Sequence, residues 1–242
     1  MSLVAEKLTI PGRLDEVSAT LEPGRITAIC GPNGAGKSSL LMALASLLDP
    51  VSGKVALDGE ALNTLHPRAR AQRIGYLPQE ASVAWDVSVA NLVRLGRMPW
   101  RDRGEQAVEA AIDAFALQAL RHRPASQLSG GEKARALLAR VLAGEPQWIL
   151  ADEPLAALDL SHQLTLLRHL RVAAEEGRGV ALVLHDLAKA MNNADRVLVL
   201  KEGRLIADDA PEKALASDVI ADVWGVSARW LGEPGARALV AV

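Results

Sequence analysis

Apolar positions along this chain group into short solid blocks and longer periodic ones. Ile26-Thr27-Ala28-Ile29-Cys30, Trp148-Ile149-Leu150-Ala151, Val180-Ala181-Leu182-Val183-Leu184 and Arg196-Val197-Leu198-Val199-Leu200 are near-continuous apolar runs, the pattern of strands covered on both faces. Leu40 to Leu48 and the leucine-rich stretch from Ser161 to about Glu176 read instead as helices. Gly53 to Gly59 alternates before an Asp58-Gly59 turn, as a hairpin does. The Arg-rich stretch after Pro67 reads as a polar helix leading to a strand at Ile74-Gly75-Tyr76-Leu77. Alternating buried strands and helices predict an α/β fold around a mixed, largely parallel sheet with helices on both faces, joined by an antiparallel β part in the N-terminal third.

Between about Val87 and Gly144 the pattern changes. Val108, Ala111, Ile112, Phe115, Ala119 and Leu120 fall at helical spacing and no strand pattern is evident. This predicts a helical subdomain, 87–144, inserted into a core made of 1–86 and 145–242, the whole chain 1–242 forming one domain. The tail from Asp218 to Val242 shows no clear pattern.

Composition narrows the class without naming a chemistry. Half of the 242 residues are apolar and 23% are charged, the balance of a globular protein. No apolar run reaches the roughly 18–20 residues needed to span a bilayer. Glu6 stands where a signal peptide would have its apolar stretch, so a cytoplasmic protein is expected. The single cysteine, Cys30, rules out an internal disulfide or a multi-cysteine metal site and reads as a small buried residue. A formal net charge of −2 gives no nucleic-acid footprint. The clusters Arg68, Arg70, Arg73 and Arg97, Arg101, Arg103 read as solvated helix faces.

Chemistry enters with Gly31-Pro32-Asn33-Gly34-Ala35-Gly36-Lys37-Ser38. It matches G-x-x-x-x-G-K-[ST] and lies between a predicted strand and a predicted helix. Glycines let the backbone curl so that several N–H groups face one phosphate, the helix N-terminus adds favourable potential, Lys37 neutralises charge, and Ser38 suits a Mg²⁺ ligand. With the adjoining Ser39, this loop is expected to hold ATP.

Asp152 and Glu153 follow the apolar run from Trp148, at the strand end where a parallel sheet presents its ligands. Alone, such a pair is a strand end meeting solvent; downstream of a phosphate loop, Asp152 suits Mg²⁺ and Glu153 suits polarising the attacking water. His185 ends the run from Val180, so the same sheet edge aims an imidazole at the terminal phosphate. His66, His122, His162 and His169 have no such placement and read as surface or packing residues.

Gln127-Leu128-Ser129-Gly130-Gly131-Glu132 opens a predicted helix with Ser129 as N-cap. Leu128 to Glu132 is similar to the signature motif of the ATPase subunits of ABC transporters, and the chain resembles that family over nearly its whole length. The resemblance implies a P-loop NTPase core of ABC type. It implies that Gln79 senses Mg²⁺ and couples to membrane subunits, that Ala157-Leu158-Asp159 crosses a dimer interface, and that His185 is a switch histidine. It further implies a head-to-tail homodimer, with ATP held between the phosphate loop of one copy and Ser129, Gly130, Gly131, Glu132 and Asp159 of the other. Catalysis would then fall to Glu153, His185, Gln79 and Lys37, and Mg²⁺ to Ser38, Gln79 and Asp152.

Where many members place an aromatic against the adenine, Leu8 to Leu14 has none, and Arg13 is the planar group available to stack there. Val89 to Trp100, Asp159-Leu160-Ser161-His162-Gln163 and Trp224-Gly225 resemble importer ATPases for iron-siderophore, haem and cobalamin complexes. That branch implies a peripheral protein on the cytoplasmic face of the cell membrane. Its partners would be two copies of a multi-span permease and, indirectly, an extracytoplasmic binding protein, with no nucleic acid. A groove at Met98, Pro99 and Trp100 would receive a cytoplasmic permease helix. A second reading stays open: a soluble family member whose ATP cycle drives iron–sulfur, DNA or ribosome-related assembly.

Overall fold

The structure is a computed structural model that describes residues 2–79 and 86–242. Met1 and residues 80–85, which fall in the expected core segment 1–86, lie outside it.

The central sheet holds six strands: β3 (Ile26–Cys30), β6 (Ile74–Leu77), β7 (Trp148–Asp152), β8 (Gly179–Val183), β9 (Arg196–Lys201) and β10 (Arg204–Asp209). Their order is β10-β9-β3-β8-β7-β6, parallel throughout except for the β10–β9 hairpin. All five residues of β3, β7 and β8 are buried, which is why they read as solid apolar blocks. Side chains nevertheless alternate between layers: Ile26, Ala28 and Cys30 join one core and Ile29 the other.

On the Ile29 side lies α1 (Lys37–Leu44), whose Leu40, Leu41 and Leu44 share a core with a four-stranded antiparallel sheet. That sheet is built from β1 (Leu3–Ile10), β2 (Leu14–Leu21), β4 (Ser52–Leu57) and β5 (Glu60–Ala61), in the order β2-β1-β4-β5. The helix stops at Leu44 rather than running to Leu48. Ser46 turns left-handed at φ 53°, and the N–H groups of Ser46 and Leu47 close back on the carbonyls of Ala43 and Met42, a Schellman-type stop.

On the other side, α3 (Val89–Arg94), α4 (Glu105–Ala114) and α5 (Gly130–Ala143) pack on one another and, with α6 (Leu160–Glu175), share the core that meets β3. A polar helix, α2 (Pro67–Arg73), precedes β6. The C-terminal third adds α7 (Leu187–Asn193), α8 (Pro211–Ala214) and α9 (Ser217–Trp224). A hairpin of β11 (Ala228–Leu231) and β12 (Ala238–Ala241) closes the chain. Cys30 is fully buried, and that surrounding pushes its thiol up to about 12.

Two expectations about arginines change. Arg97 is buried, not solvated: its guanidinium forks onto Asp102 at 2.7 and 2.9 Å, reaches Glu145 at 2.6 Å, and lies over the Trp100 ring. Trp100 is itself tethered, its indole N–H donating to the Gly144 carbonyl at 2.8 Å. Arg68 and Gln72 of α2 both donate to the Pro99 carbonyl. Met98 is the most exposed apolar side chain of this segment, at 70%, with Trp100 partly exposed beside it.

Candidate nucleotide site

The phosphate loop is wedged in place by its neighbours. Gly31 sits at φ 150°, and a Cβ there would lie 2.2 Å from the Leu200 carbonyl oxygen at the end of β9. Gly36 sits at φ 99°, with a Cβ position 2.5 Å from the Arg13 carbonyl oxygen. At both places only glycine fits. The loop is also propped from below: Gly203 N–H donates to the Ala35 carbonyl at 3.2 Å, and Asp15 N–H donates to the Gly203 carbonyl at 2.9 Å. Glu202 and Gly203, at φ 48° and 79°, form the tight β9–β10 turn that makes this possible. Sequence reasoning missed that turn, although Glu202-Gly203 between an apolar run and Arg204 is a hairpin signal.

Lys37 starts α1 and is 6% exposed. Its ammonium donates to the carbonyls of Gly31 and Pro32, each at 2.9 Å, so the lysine closes its own loop. Burial lowers its pKa, while Glu153, Cys30 and Asp152 nearby oppose that shift. The Ser38 hydroxyl stands near the Asp152 carboxyl and works to lower its pKa.

Asp152 ends β7 and is 3% exposed, and its Oδ1 has no hydrogen-bond partner. Desolvation raises its pKa most, with Ser38 and Lys37 pulling the other way and Glu153 adding to the rise. Glu153 follows in a left-handed conformation, φ 49°, rare for a residue with a side chain. That kink turns the carboxylate off the strand toward His185, and Glu153 Oε1 is in hydrogen-bond contact with His185 Nε2. A cavity of about 770 Å³ joins these parts. Gly12, Arg13, residues 33–39, Gln79, Glu153 and His185 line it, so most of the loop, the residues after β7 and β8 and the β1–β2 turn meet there, while Gly31, Pro32 and Asp152 are not part of its lining.

Ser129, Gly130, Gly131, Glu132 and Asp159 do not reach that cavity. Ser129 caps α5 in a reciprocal box: its N–H donates to Glu132 Oε2 at 2.8 Å while its hydroxyl accepts from Glu132 N–H at 3.3 Å. The backbone bond from Ser129, aided by Arg123, lowers the Glu132 pKa. Gly130 lines a separate space of about 220 Å³ with Gln79, Asp152, Glu153 and Ala157. Asp159 caps α6, and bonds from His162 and Ser161 hold its pKa down at about 2. His162 is therefore part of this cap and not merely a surface residue. His66 caps α2, and the His169 ring lies 5.2 Å from Phe115, consistent with packing roles.

A family model for ABC transporters matches residues 14–156, more than half of the chain. The chain belongs to the ABC transporter family. It is similar to the hemin import ATP-binding protein HmuV of Myxococcus xanthus, 41% identical over 92% of this chain and 89% of that protein. The ferric enterobactin transport ATP-binding protein FepC of Escherichia coli is 38% identical over 96% of this chain and 85% of its own length. Among solved structures, a metal-chelate type ABC transporter in an inward-facing conformation superposes with a TM-score of 0.83, at 26% identity, covering 100% of this chain and 96% of that one. A dimeric ATP-binding cassette in a post-hydrolysis state with ADP and Pi gives 0.77, at 25% identity over 86% and 98%.

As an ABC ATPase the chain hydrolyses ATP, and the family does so with Mg²⁺. Its residues fit both groups. A buried carboxylate oxygen without a partner, beside a serine hydroxyl at the head of α1, is the oxygen donor set that a hard cation takes. Gly34 lines the cavity, and a Cβ there would meet nothing within 4 Å, so the loop backbone at that point is open to phosphate oxygens.

Proposed function

We propose that this ABC ATPase powers import of a metal chelate, an iron-siderophore, haem or cobalamin complex, as a homodimer on two copies of a separate membrane permease at the cytoplasmic face. An extracytoplasmic binding protein would deliver the cargo. The importer relatives, matched over nearly their full length, support the transport class. Among the described residues no helix is long and apolar enough to cross a membrane, and the relatives carry the name of ATP-binding import proteins, which fits a separate spanning partner. The soluble assembly reading has no observation in its favour.

One observation carries the mechanism: the phosphate loop, Glu153 and His185 share one cavity, while Ser129 to Glu132 lie outside it, Ser129 and Gly130 exposed. Two anion-directed helix starts in one chain, only one of them at the cavity, fit a site completed by a second copy head to tail. Lys37 moves its ammonium from the Gly31 and Pro32 carbonyls to the phosphates. Glu153 takes the attacking water's proton, and His185, already against Glu153, orients it and donates toward the terminal phosphate. Mg²⁺, held by Ser38, Asp152 and Gln79, would neutralise charge on the phosphates. Residues 87–144 form the helical arm that carries Ser129 to the partner, and the exposed Met98 edge of that arm is where the permease docks. Closure on ATP and opening after hydrolysis then make a two-state stroke.

Glu153→Gln is expected to lower Mg²⁺-dependent turnover, measured with the permease in membranes, by about 10²–10⁴-fold. ATP should still lock the variant into a dimer. Normal hydrolysis by this variant would remove Glu153 from the mechanism. Arg13, exposed at the rim of the cavity, stacks on the base in this scheme. Arg13→Ala should weaken nucleotide affinity, read by titrating ATP and GTP separately; unchanged affinities for both would exclude it.

A further inference from the structure

The loop from Glu153 to Asp159 connects this chain's own water-activating carboxylate to the stretch that faces a second copy. Two tight turns build it, closed by Ala156 N–H to the Glu153 carbonyl and Leu158 N–H to the Leu155 carbonyl, each at 3.2 Å. Leu155 and Leu158 are buried beneath it while Ala156, Ala157 and Asp159 are exposed. One side chain from α6 spans both turns. The Gln163 amide Nε2 donates to the Leu155 and the Leu158 carbonyls, each at 2.9 Å, using both of its hydrogens. Gln163 also lines a small space of about 120 Å³ directly behind the catalytic pair, together with Glu153, Leu155, Ala156 and His185. At its far end the loop is pinned again, with Asp159 Oδ1 accepting from His162 N–H and the Ser161 hydroxyl, each at 2.9 Å, and facing His162 Nδ1 at 2.8 Å.

We propose that Gln163 is a positioning residue that makes the loop Glu153 to Asp159 one rigid strut, so that the place of Glu153 at its own phosphates and the reach of Ala157 to Asp159 toward the other copy's site are set together. This rests on the composite-site reading above. The physical argument is that of parts in series. A loop with free carbonyls in the middle absorbs a displacement at one end, whereas a loop whose two turns hang from one amide passes it on. The amide touches no reacting atom; its effect runs through the carboxylate and imidazole it sits behind. Removing its donors leaves the phosphate loop, Lys37 and Asp152 as they are, so nucleotide affinity of a single subunit stays while turnover and coupling between sites fall.

Gln163→Leu keeps the side chain's bulk and removes both donors, and Gln163→Met keeps its length. With the permease in membranes, both variants are expected to lower kcat between about ten- and a hundredfold, the cost of misplacing a catalytic group by about an ångström. KM for ATP should stay within about twofold, and the Hill coefficient for ATP should fall toward one. In the purified full chain, a fluorescent ATP analogue should bind Gln163→Leu and wild type alike. ATP-induced dimerisation should be weaker in Glu153→Gln with Gln163→Leu than in Glu153→Gln alone. An unchanged kcat and Hill coefficient in both variants would overturn the proposal. So would kcat, analogue affinity and melting temperature all falling together with cooperativity intact, which would make the amide structural only. If Glu153→Gln with Gln163 intact fails to dimerise on ATP, the composite site falls first and this proposal falls with it.

Discussion

At the scale of single residues, the chemistry was legible because phosphate and Mg²⁺ impose few solutions. Gly31 to Ser38, Asp152-Glu153 and His185 each sit at the end of an apolar block, and the parallel register of β3, β7 and β8 brings those ends together. The supports were not read from the sequence: the Glu202-Gly203 turn, whose hairpin signal was passed over, the left-handed kink at Glu153, and the tie from the Gln163 amide to the Leu155 and Leu158 carbonyls, the last two being conformations that no apolar pattern announces. The unpartnered Asp152 oxygen has a measurable consequence. A carboxyl whose folded pKa is raised holds its proton more tightly in the native state, so it costs stability as pH climbs from the unfolded value, 3.8, through the folded one. Asp152→Asn is therefore expected to melt higher than wild type in Mg²⁺-free buffer at neutral pH, with the gap shrinking as pH falls through that window. The same variant should lose Mg²⁺-dependent turnover by about two orders of magnitude or more. A lower melting temperature would show that the carboxylate is satisfied in some way other than by a cation.

At the scale of elements, buried strands and long helices followed the apolar pattern closely, and boundaries slipped where local geometry decides. Nothing in Leu40 to Leu48 announces that Ser46 turns left-handed, so α1 is a turn shorter than its apolar run. The strands β1 and β2 form an antiparallel pair with register shifts near Ala5 and Leu8, and their interrupted alternation hid them. The segment 95–104 shows the opposite problem, because charged residues suggested a solvated face and the fold turned one of them inward. A Cβ at Gly104 would meet the Arg97 side chain at 2.3 Å, so the segment is folded around that guanidinium. Arg97→Met should cost roughly 1–2 kcal/mol in denaturant melts, toward the low end because Asp102 and Glu145 are half-exposed and regain water. Nucleotide binding should persist while stimulation of ATPase activity by the permease is lost; intact stimulation would detach this segment from docking.

At the scale of the whole molecule, the fold is three layers with the nucleotide cavity at one end of the central sheet, and the C-terminal hairpin is fastened to it at few points. Asn192 pairs with Arg237 through both its amide and its carbonyl oxygen, each at 2.8 Å, and the Trp230 indole N–H reaches the Leu215 carbonyl at 2.7 Å. Asn192→Ala is expected to loosen residues 228–241 by about 1–2 kcal/mol, raising their amide exchange roughly tenfold and leaving ATPase activity as it was. Uniform protection in the variant would mean that the Trp230 contact and the Arg237–Glu212 pair suffice.

The closeness of Gly31 to the Leu200 carbonyl reaches beyond this molecule. A motif of eight consecutive residues looks portable, a cassette to be lifted onto another scaffold. Here its first glycine is shaped by a strand end far along the chain, and its fifth residue hangs from the turn after that strand. Transplanting Gly31 to Ser38 alone would move the letters and leave the mould behind. A graft that keeps its shape has to bring β9 and its turn with it.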